Sequence, residues 1–163
     1  MSTVNHFTGY GYAQKVAPKY DAIISLGHEL NMTRWPHIKY LFLDFDDLDL
    51  NDIASPLPQD KFCTKEHINQ MIEFVRGLNP KEKLLIHCFA GLNRSSAATI
   101  IAKCERDKLA YWHAVKDLVS HRIPGTADIN PNSLMINHYL ADKKIYVPDY
   151  PIDTPVKTII VKP

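Results

Sequence analysis

The sequence predicts an α/β fold: a single domain with a mostly parallel central sheet of about four or five strands, flanked by helices. Two observations lead to this prediction. Short apolar runs that suit buried strands alternate along the chain with segments whose apolar residues recur at helical spacing. The chain also has 163 residues, of which 45% are hydrophobic, as is typical of one domain with a full core. The alternation favours parallel pairing, because each crossover helix then covers a face of the sheet.

Three strands are predicted from short runs of apolar or alternating residues. The first run ends at Gly27, and a glycine at this place is typical of a turn. Residues 1–20 carry no sustained period, which predicts an irregular or short-strand opening. The three predicted strands cover residues 21–26, 40–46 and 83–87.

Four helices are predicted from apolar residues that recur every three or four positions and from residues that start or stop helices. Threonine is a common helix cap, so Thr64 is expected to begin a helix. Pro80 is expected to end the same helix, because proline cannot continue it. Pro131 is expected within the first turn of the last helix, where proline is tolerated. The predicted helices lie between Thr64 and Pro80, over 95–108, over 111–122, and from Asn130 to about residue 143.

The chain divides into a predicted domain, residues 1–145, and a C-terminal tail, residues 146–163. Four of the eleven prolines fall in the tail. Because proline fixes φ and removes a backbone donor, this content favours an extended or loosely attached tail over a helix.

Composition excludes several classes of protein. With 19 basic and 18 acidic residues the formal net charge is +1, so the chain does not hold nucleic acid or an anionic membrane by bulk attraction. No apolar run reaches the roughly 18–20 residues of a membrane-spanning helix. The three cysteines form no closed disulfide set, and without a secretory signal they predict a reducing, cytoplasmic location. The scattered histidines lack metal-ligand spacing, so neither a metal nor a cofactor is expected.

The segment HCFAGLNRS, residues 87–95, carries the chemistry. It joins a predicted strand to a predicted helix, so its backbone N–H groups converge where the helix N-terminus favours an anion. This environment stabilises the thiolate of Cys88, and the planar fork of Arg94 suits two phosphate oxygens. Such a Cys-to-Arg spacing with its flanking His and Ser would arise on the order of 2 times in 10,000 shuffled chains. The segment therefore predicts a phosphate site with its own nucleophile.

This motif resembles the H-C-x5-R-[ST] signature of the cysteine-dependent protein tyrosine phosphatases, and within them the small dual-specificity group of bacterial type. Residues 43–47, LDFDD, are similar to the segment that ends in that family's general-acid aspartate. Residues 127–132, followed by Leu-Ala-Asp at 140–142, resemble the stretch that leads into the last helix in bacterial members of that family. The resemblance covers about residues 20–143 and implies that a phosphate loop connects a strand to a helix.

The resemblance also implies a role for each residue of the motif. Cys88 would attack phosphorus and form a phosphocysteine intermediate, and Ser95 would donate to the sulfur when it departs. His87 would order the loop, and no metal would be needed. The three non-bridging phosphate oxygens would be held by the Arg94 side chain and by the backbone N–H groups of Phe89, Ala90, Gly91, Leu92, Asn93 and Arg94.

Expelling the leaving group needs an acid, and the acidic stretch after residue 40 offers several. Strand alternation sends Asp44 and Asp46 to the face opposite the core, and close like charges raise the pKa of at least one carboxyl. The family pattern places the acid where the strand ends and the loop starts, at Asp47. Asp46 is the second candidate and Asp49 the third.

The substrate expected from the loop is a phosphorylated protein or a small phosphomonoester. Phe89 and Leu92 are apolar where lipid-phosphate members of the superfamily carry lysines, which favours a single phosphate such as phosphotyrosine. No long recognition loop makes a deep pocket, so phosphoserine and phosphothreonine stay open as substrates. The alternatives are a phosphoinositide or RNA 5′-phosphate phosphatase with the same mechanism, and a non-catalytic pseudophosphatase that binds phosphoproteins. The intact nucleophile Cys88 argues against the last.

Four further residues have competing interpretations. Cys63 and Cys104 could form a reversible disulfide with Cys88, but burial as small apolar residues is favoured. Arg122 either assists substrate binding or faces a helix C-terminus. Asn132 is predicted to order the start of the last helix.

Overall fold

A parallel sheet with helices packed on it is the centre of this computed structural model, which describes residues 4–29, 34–120, 129–141 and 143. Within these ranges the chain forms four strands and five α-helices. The strands are β1 (Val4–Gly9), β2 (Ala22–Leu26), β3 (Lys39–Leu43) and β4 (Leu84–Cys88). The helices are α1 (Tyr10–Val16), α2 (Lys65–Arg76), α3 (Arg94–Arg106), α4 (Tyr111–Ser120) and α5 (Ser133–Leu140).

The strand order is β1-β4-β2-β3, and every neighbouring pair is parallel. Gly9 aligns with Cys88 across β1 and β4, and Ser25 aligns with His87 across β2 and β4. Parallel strands bring their carboxyl ends to one edge of the sheet, which is where ligands bind in open α/β folds. The register therefore places the predicted motif at that edge.

Alternating side chains divide the interior into two hydrophobic clusters. Ile24 and Ile86 point to the face covered by α2, α3, α4 and α5, where the larger cluster lies. Ile23 and Leu85, one position away on the same strands, point to the face covered by α1. Helices on both faces explain why β2 and β4 are buried at every position.

The predicted α/β class and parallel sheet are confirmed, and the differences are one additional helix and the ends of several elements. The opening, predicted as irregular or a short strand, contains β1, but helix α1 was missed. Its buried face consists of one alanine, Ala13, so no apolar period marks it. The last helix was placed too early: the Asn132 side chain accepts from Met135 N at 3.0 Å, so Asn132 is the cap and Pro131 precedes the helix.

The ends of α2 agree with the residues predicted to start and stop it. Thr64 caps α2 as predicted, accepting from His67 N, and the helix ends at Arg76, before Pro80. The boundary at residue 145 and the tail, residues 146–163, lie outside the described residues. No helix in the described part of the chain is long and apolar enough to cross a membrane.

Candidate active site

The sulfur of Cys88 lies where β4 ends and the loop to α3 begins. The side chain is 1% exposed, and the sulfur accepts a hydrogen bond from Gly91 N at 3.2 Å. The Ser95 hydroxyl, in the first turn of α3, lies 3.3 Å from the same sulfur. Residues 88–94, called the phosphate loop below, therefore bend around the sulfur, with Gly91 N directed at it.

Arg94 is the first residue of α3, and its side chain is buried at 8% exposure. Its Nη1 donates to the Phe45 carbonyl at 2.8 Å, which fixes the guanidinium beside the end of β3. Its Nε has no hydrogen-bond partner among the residues that the structure describes. A buried, unpaired N–H of a cation is costly, so this atom is a ready donor for an anion.

Gly91 allows the end of β1 to approach the phosphate loop closely. Gly91 has φ +78°, and a Cβ there would overlap the backbone of Thr8 and Gly9 at the end of β1. Tyr10 N donates to the Phe89 carbonyl at 3.0 Å, so the start of α1 supports the loop from behind. Sequence reasoning missed this contact, because residues 1–20 carry no motif that points to the loop.

His87 is a buried connection between two strands. Its Nε2 lies 2.7 Å from the Ser25 hydroxyl, and its Nδ1 lies 3.4 Å from the Cys88 carbonyl. Burial lowers the pKa of His87 to about 4, so the ring is neutral near pH 7. Because a carbonyl only accepts, Nδ1 carries the hydrogen and Nε2 accepts from Ser25. This geometry suits an ordering role for His87.

The acidic segment after β3, residues 44–49, is called the acid loop below, and it brings one of its carboxyls to Arg94. Oδ1 of Asp47 lies 3.7 Å from Nε of Arg94, and the Asp47 side chain is 41% exposed. Partial burial raises the pKa of Asp47, although the Arg94 charge and the Asn132 amide oppose the shift. The carboxyl is thus held beside the phosphate loop with an increased tendency to stay protonated.

The other acidic candidates have different surroundings. Asp44 and Asp46 are exposed, as the alternation predicted, but the strand predicted over residues 40–46 ends at Leu43, so both follow β3. Asp49 accepts from Asn51 N at 2.7 Å, and its own N–H donates to Asp52 at 2.8 Å. This capping box commits Asp49 and Asp52 to the short turn that follows the acid loop.

Asn132 reaches the site as well as capping α5. Its backbone N donates to the Asn93 carbonyl at 3.2 Å, and its Nδ2 donates to the Leu48 carbonyl at 2.9 Å. Nδ2 also lies 3.5 Å from Oδ1 of Asp47. The prediction that Asn132 orders the last helix described only one of its contacts.

The other two cysteines are poor nucleophiles. Burial raises the pKa of Cys63 to about 12 and, as the main cause, that of Cys104 to about 11. Cys104 lies ten residues after Arg94 along α3, which places it about 15 Å along the helix from the end of the phosphate loop. Arg122 lies outside the described residues. In the described ranges, no three His, Cys, Asp or Glu side chains come together as potential metal ligands.

Comparison by sequence finds no family model and no curated protein that matches the chain. Comparison by structure finds solved phosphatases. The human tyrosine phosphatase-like serine/threonine/tyrosine-interacting protein is 22% identical with a TM-score of 0.61, and the match covers 84% of this chain and 89% of that one.

Two further structures match over a similar length. Human DUSP28 is 14% identical with a TM-score of 0.55, covering 81% of this chain and 80% of that one. OH1, a tyrosine phosphatase from the Orf virus, is 13% identical with a TM-score of 0.55, covering 86% and 83%. The chain therefore has the fold of the small tyrosine and dual-specificity phosphatases.

Proposed function

We propose that this protein is a cysteine-dependent, metal-independent phosphatase that hydrolyses phosphomonoesters through a phosphocysteine intermediate. The observation that carries the proposal is the grouping around one sulfur. Cys88 accepts from Gly91 N and lies 3.3 Å from the Ser95 hydroxyl. The helix that follows begins with buried Arg94, whose Nε is unpaired within the described residues. A nucleophile and anion donors thus share one loop.

In the first step the Cys88 thiolate attacks phosphorus opposite the leaving oxygen. A P–S bond forms as the P–O bond to the leaving group breaks, and the leaving oxygen takes the proton of the Asp47 carboxyl. The phosphate-loop N–H groups and Arg94 hold the three non-bridging oxygens, where negative charge is spread. The raised pKa of Asp47 supports the acid role, because the carboxyl stays protonated to higher pH.

In the second step water attacks the phosphocysteine. The Asp47 carboxylate now takes a proton from the water, the P–S bond breaks, and inorganic phosphate is released. The Ser95 hydroxyl donates to the departing sulfur, which the 3.3 Å separation supports. One carboxyl thus serves as acid and then as base.

Aromatic rings beside the phosphate loop favour phosphotyrosine as the substrate. Phe89, next to the nucleophile, is 66% exposed, and its ring centroid lies 5.8 Å from that of His28. The His28 ring meets the Tyr10 ring edge-on at 4.1 Å. Aromatic contacts of this kind contribute about 0.5–1.5 kcal/mol each, so a phenyl ester gains contacts that an alkyl ester lacks. Phosphoserine and phosphothreonine fit as weaker substrates.

A reducing, cytoplasmic location suits this chemistry. Cys63, Cys88 and Cys104 are all free. A catalytic thiol must stay reduced to act as a nucleophile, which is the normal state of cysteines in the cytosol.

The test is hydrolysis of p-nitrophenyl phosphate by the wild type and by Cys88→Ser. We expect Cys88→Ser to abolish turnover and Cys104→Ser, the matched control on α3, to leave it unchanged. Retention of activity by Cys88→Ser would overturn the mechanism. A second panel compares phosphotyrosine, phosphoserine and phosphothreonine peptides with a phosphoinositide and an RNA 5′-triphosphate. Faster hydrolysis of either of the last two would overturn the substrate class.

Phosphopeptide binding decides between catalysis and recognition. If the wild type binds a phosphotyrosine peptide but hydrolyses none of these compounds, the protein is a phosphoprotein-binding pseudophosphatase and the proposed reaction is wrong.

A further inference from the structure

Asn132 is a fully buried side chain that joins three parts of the molecule. Its backbone N bonds the Asn93 carbonyl in the phosphate loop, and its Nδ2 bonds the Leu48 carbonyl in the acid loop. Its Oδ1 accepts from Met135 N in the first turn of α5. These contacts determine the orientation of the amide, because only its oxygen accepts and only its nitrogen donates. The NH2 group must therefore face the acid loop.

One N–H donor lies within hydrogen-bond distance of the Asp47 carboxyl. Nδ2 of Asn132 donates to Oδ1 at 3.5 Å, whereas Nε of Arg94, at 3.7 Å, is too far to hydrogen-bond that oxygen. An oxygen that accepts from an amide N–H is the unprotonated one. In the acid form of Asp47 the proton therefore belongs on the other oxygen, Oδ2.

The residues around Asn132 fix the backbone of both loops. Asn130 N donates to the Leu92 carbonyl at 3.3 Å, and Leu50 N donates to the Ser133 hydroxyl at 2.9 Å. The segment before α5 is thus bonded to the phosphate loop and to the turn after the acid loop. Within this segment, the Asn132 side chain contacts the Asp47 carboxyl.

We infer that Asn132 is a positioning residue for the general acid: its amide holds Oδ1 of Asp47, so that Oδ2 presents the proton to the leaving oxygen. The inference rests on the proposed phosphatase function. The charged groups that act on this carboxyl are Arg94 from α3 and Asp49 from the same loop. Asn132 adds an uncharged donor, which orients the carboxyl without adding a charge to the site.

The test uses two esters that depend differently on the acid. Phenyl phosphate has a poor leaving group and needs protonation, whereas p-nitrophenyl phosphate has a good one and needs it less. Asn132→Ser keeps an oxygen that can cap α5 but loses the donor to Asp47. We expect kcat for phenyl phosphate to fall about tenfold or more, with a fall of less than about threefold for p-nitrophenyl phosphate and little change in KM.

Ser133→Ala is the matched structural control, because the Ser133 hydroxyl bonds Leu50 N rather than the Asp47 carboxyl. It should change both substrates by the same factor. If Asn132→Ser also lowers both equally, or changes neither, the positioning role is wrong. Failure of the proposed function looks different: the wild type then hydrolyses neither ester, or Cys88→Ser hydrolyses both.

Asn132→Asp gives a second readout if the serine variant does not fold. It keeps the size of the side chain and a capping oxygen but places a carboxylate beside Asp47. A nearby negative charge disfavours ionisation of Asp47 and raises its pKa, so the basic limb of the kcat profile should move to higher pH. A basic limb that stays in place would overturn the contact between these two side chains.

Discussion

Gly27 lies against the guanidinium of Arg94. A Cβ built on Gly27 would overlap Nη1 of Arg94 and the Phe45 carbonyl oxygen, the two atoms that hydrogen-bond at 2.8 Å. Gly27 also has φ +66°, a conformation that other residues rarely adopt. The glycine that ends the first predicted strand is therefore what gives Arg94 room to bend toward β3.

Replacing this glycine should impair catalysis as well as stability. In Gly27→Ala the methyl group displaces the guanidinium, and a misplacement of about 1 Å at a phosphate clamp lowers kcat/KM by about 100-fold. The positive φ adds about 1–2 kcal/mol of destabilisation. Steady-state kinetics and urea unfolding measure the two effects. Gly11→Ala is the control, because a Cβ on Gly11 meets nothing within 4 Å. Equal activity of the two variants would contradict this role of Gly27.

Asp47→Asn should lower kcat for phenyl phosphate about 100-fold or more, since the amide has no proton to give. The general acid must be protonated, so the wild-type rate falls as pH rises through its pKa. Because partial burial raises that pKa, the fall occurs at higher pH than for an ordinary aspartate, and Asp47→Asn should remove it. The measurement is a kcat profile against pH. Asp46→Asn, the exposed neighbour, should keep the wild-type profile, and the opposite pattern would assign the acid to Asp46.

Stability should depend on pH through His87. The pKa of His87 is about 4 in the folded protein against 6.5 for an ordinary histidine. Between these values the unfolded chain binds a proton that the folded chain does not, so stability falls by about 3 kcal/mol as pH drops from 6.5 to 4. Urea unfolding across this range measures the effect. His87→Gln should be less stable than the wild type at pH 7 but should lose less stability as pH drops from 6.5 to 4. If the variant lost as much stability as the wild type over this range, a neutral buried ring would be contradicted.

Glu105 is a buried charge outside the site that joins three helices. It is 4% exposed and accepts from Arg76 at 2.6 Å, from the Tyr139 hydroxyl at 2.9 Å and from Lys143 at 2.7 Å. Because the Arg76 side chain is 56% exposed and that of Lys143 is 31% exposed, Glu105→Gln leaves no buried cation and loses charge-assisted hydrogen bonds only, so it should cost about 1–3 kcal/mol at pH 7. Urea unfolding measures this loss. Tyr139→Phe, which deletes the hydroxyl's bonds to Glu105 and Cys104 but keeps both ion pairs, should lose less.

Glu105 should make the folded protein less stable as the pH falls. Burial alone would raise the pKa of Glu105, but its hydrogen bonds to Lys143, Tyr139 and Arg76 outweigh burial and lower it below 4.5. A lowered folded pKa means that the stability is present above 4.5 and is lost as pH falls below it. Glu105→Gln should therefore flatten the stability curve in that range, and an unchanged curve would contradict the ionised cluster.

Local sequence patterns predicted where some of the candidate residues lie in the fold. The place of the Cys88 loop was predictable because its strand, loop and helix are consecutive, and so was the exposure of Asp44 and Asp46, because the alternation continues past the end of β3. The contact of Asn132 with Asp47 joins residues 85 positions apart and leaves no local pattern. The close approach of Gly27 to Arg94 is also long-range, because it depends on the packing of β2 beside β4. Such tertiary contacts required the structure.

Trapping the covalent intermediate tests the account most directly. In Ser95→Ala the departing sulfur loses its hydroxyl donor, so the second step slows more than the first and the intermediate accumulates. Acid-quenched protein from a reaction with p-nitrophenyl phosphate is digested and the peptide containing Cys88 is weighed by mass spectrometry. The account predicts one added phosphoryl group on Cys88, and none in Ser95→Ala combined with Cys88→Ser. Turnover with no phosphoryl group on Cys88, or with the group on another residue, would contradict it.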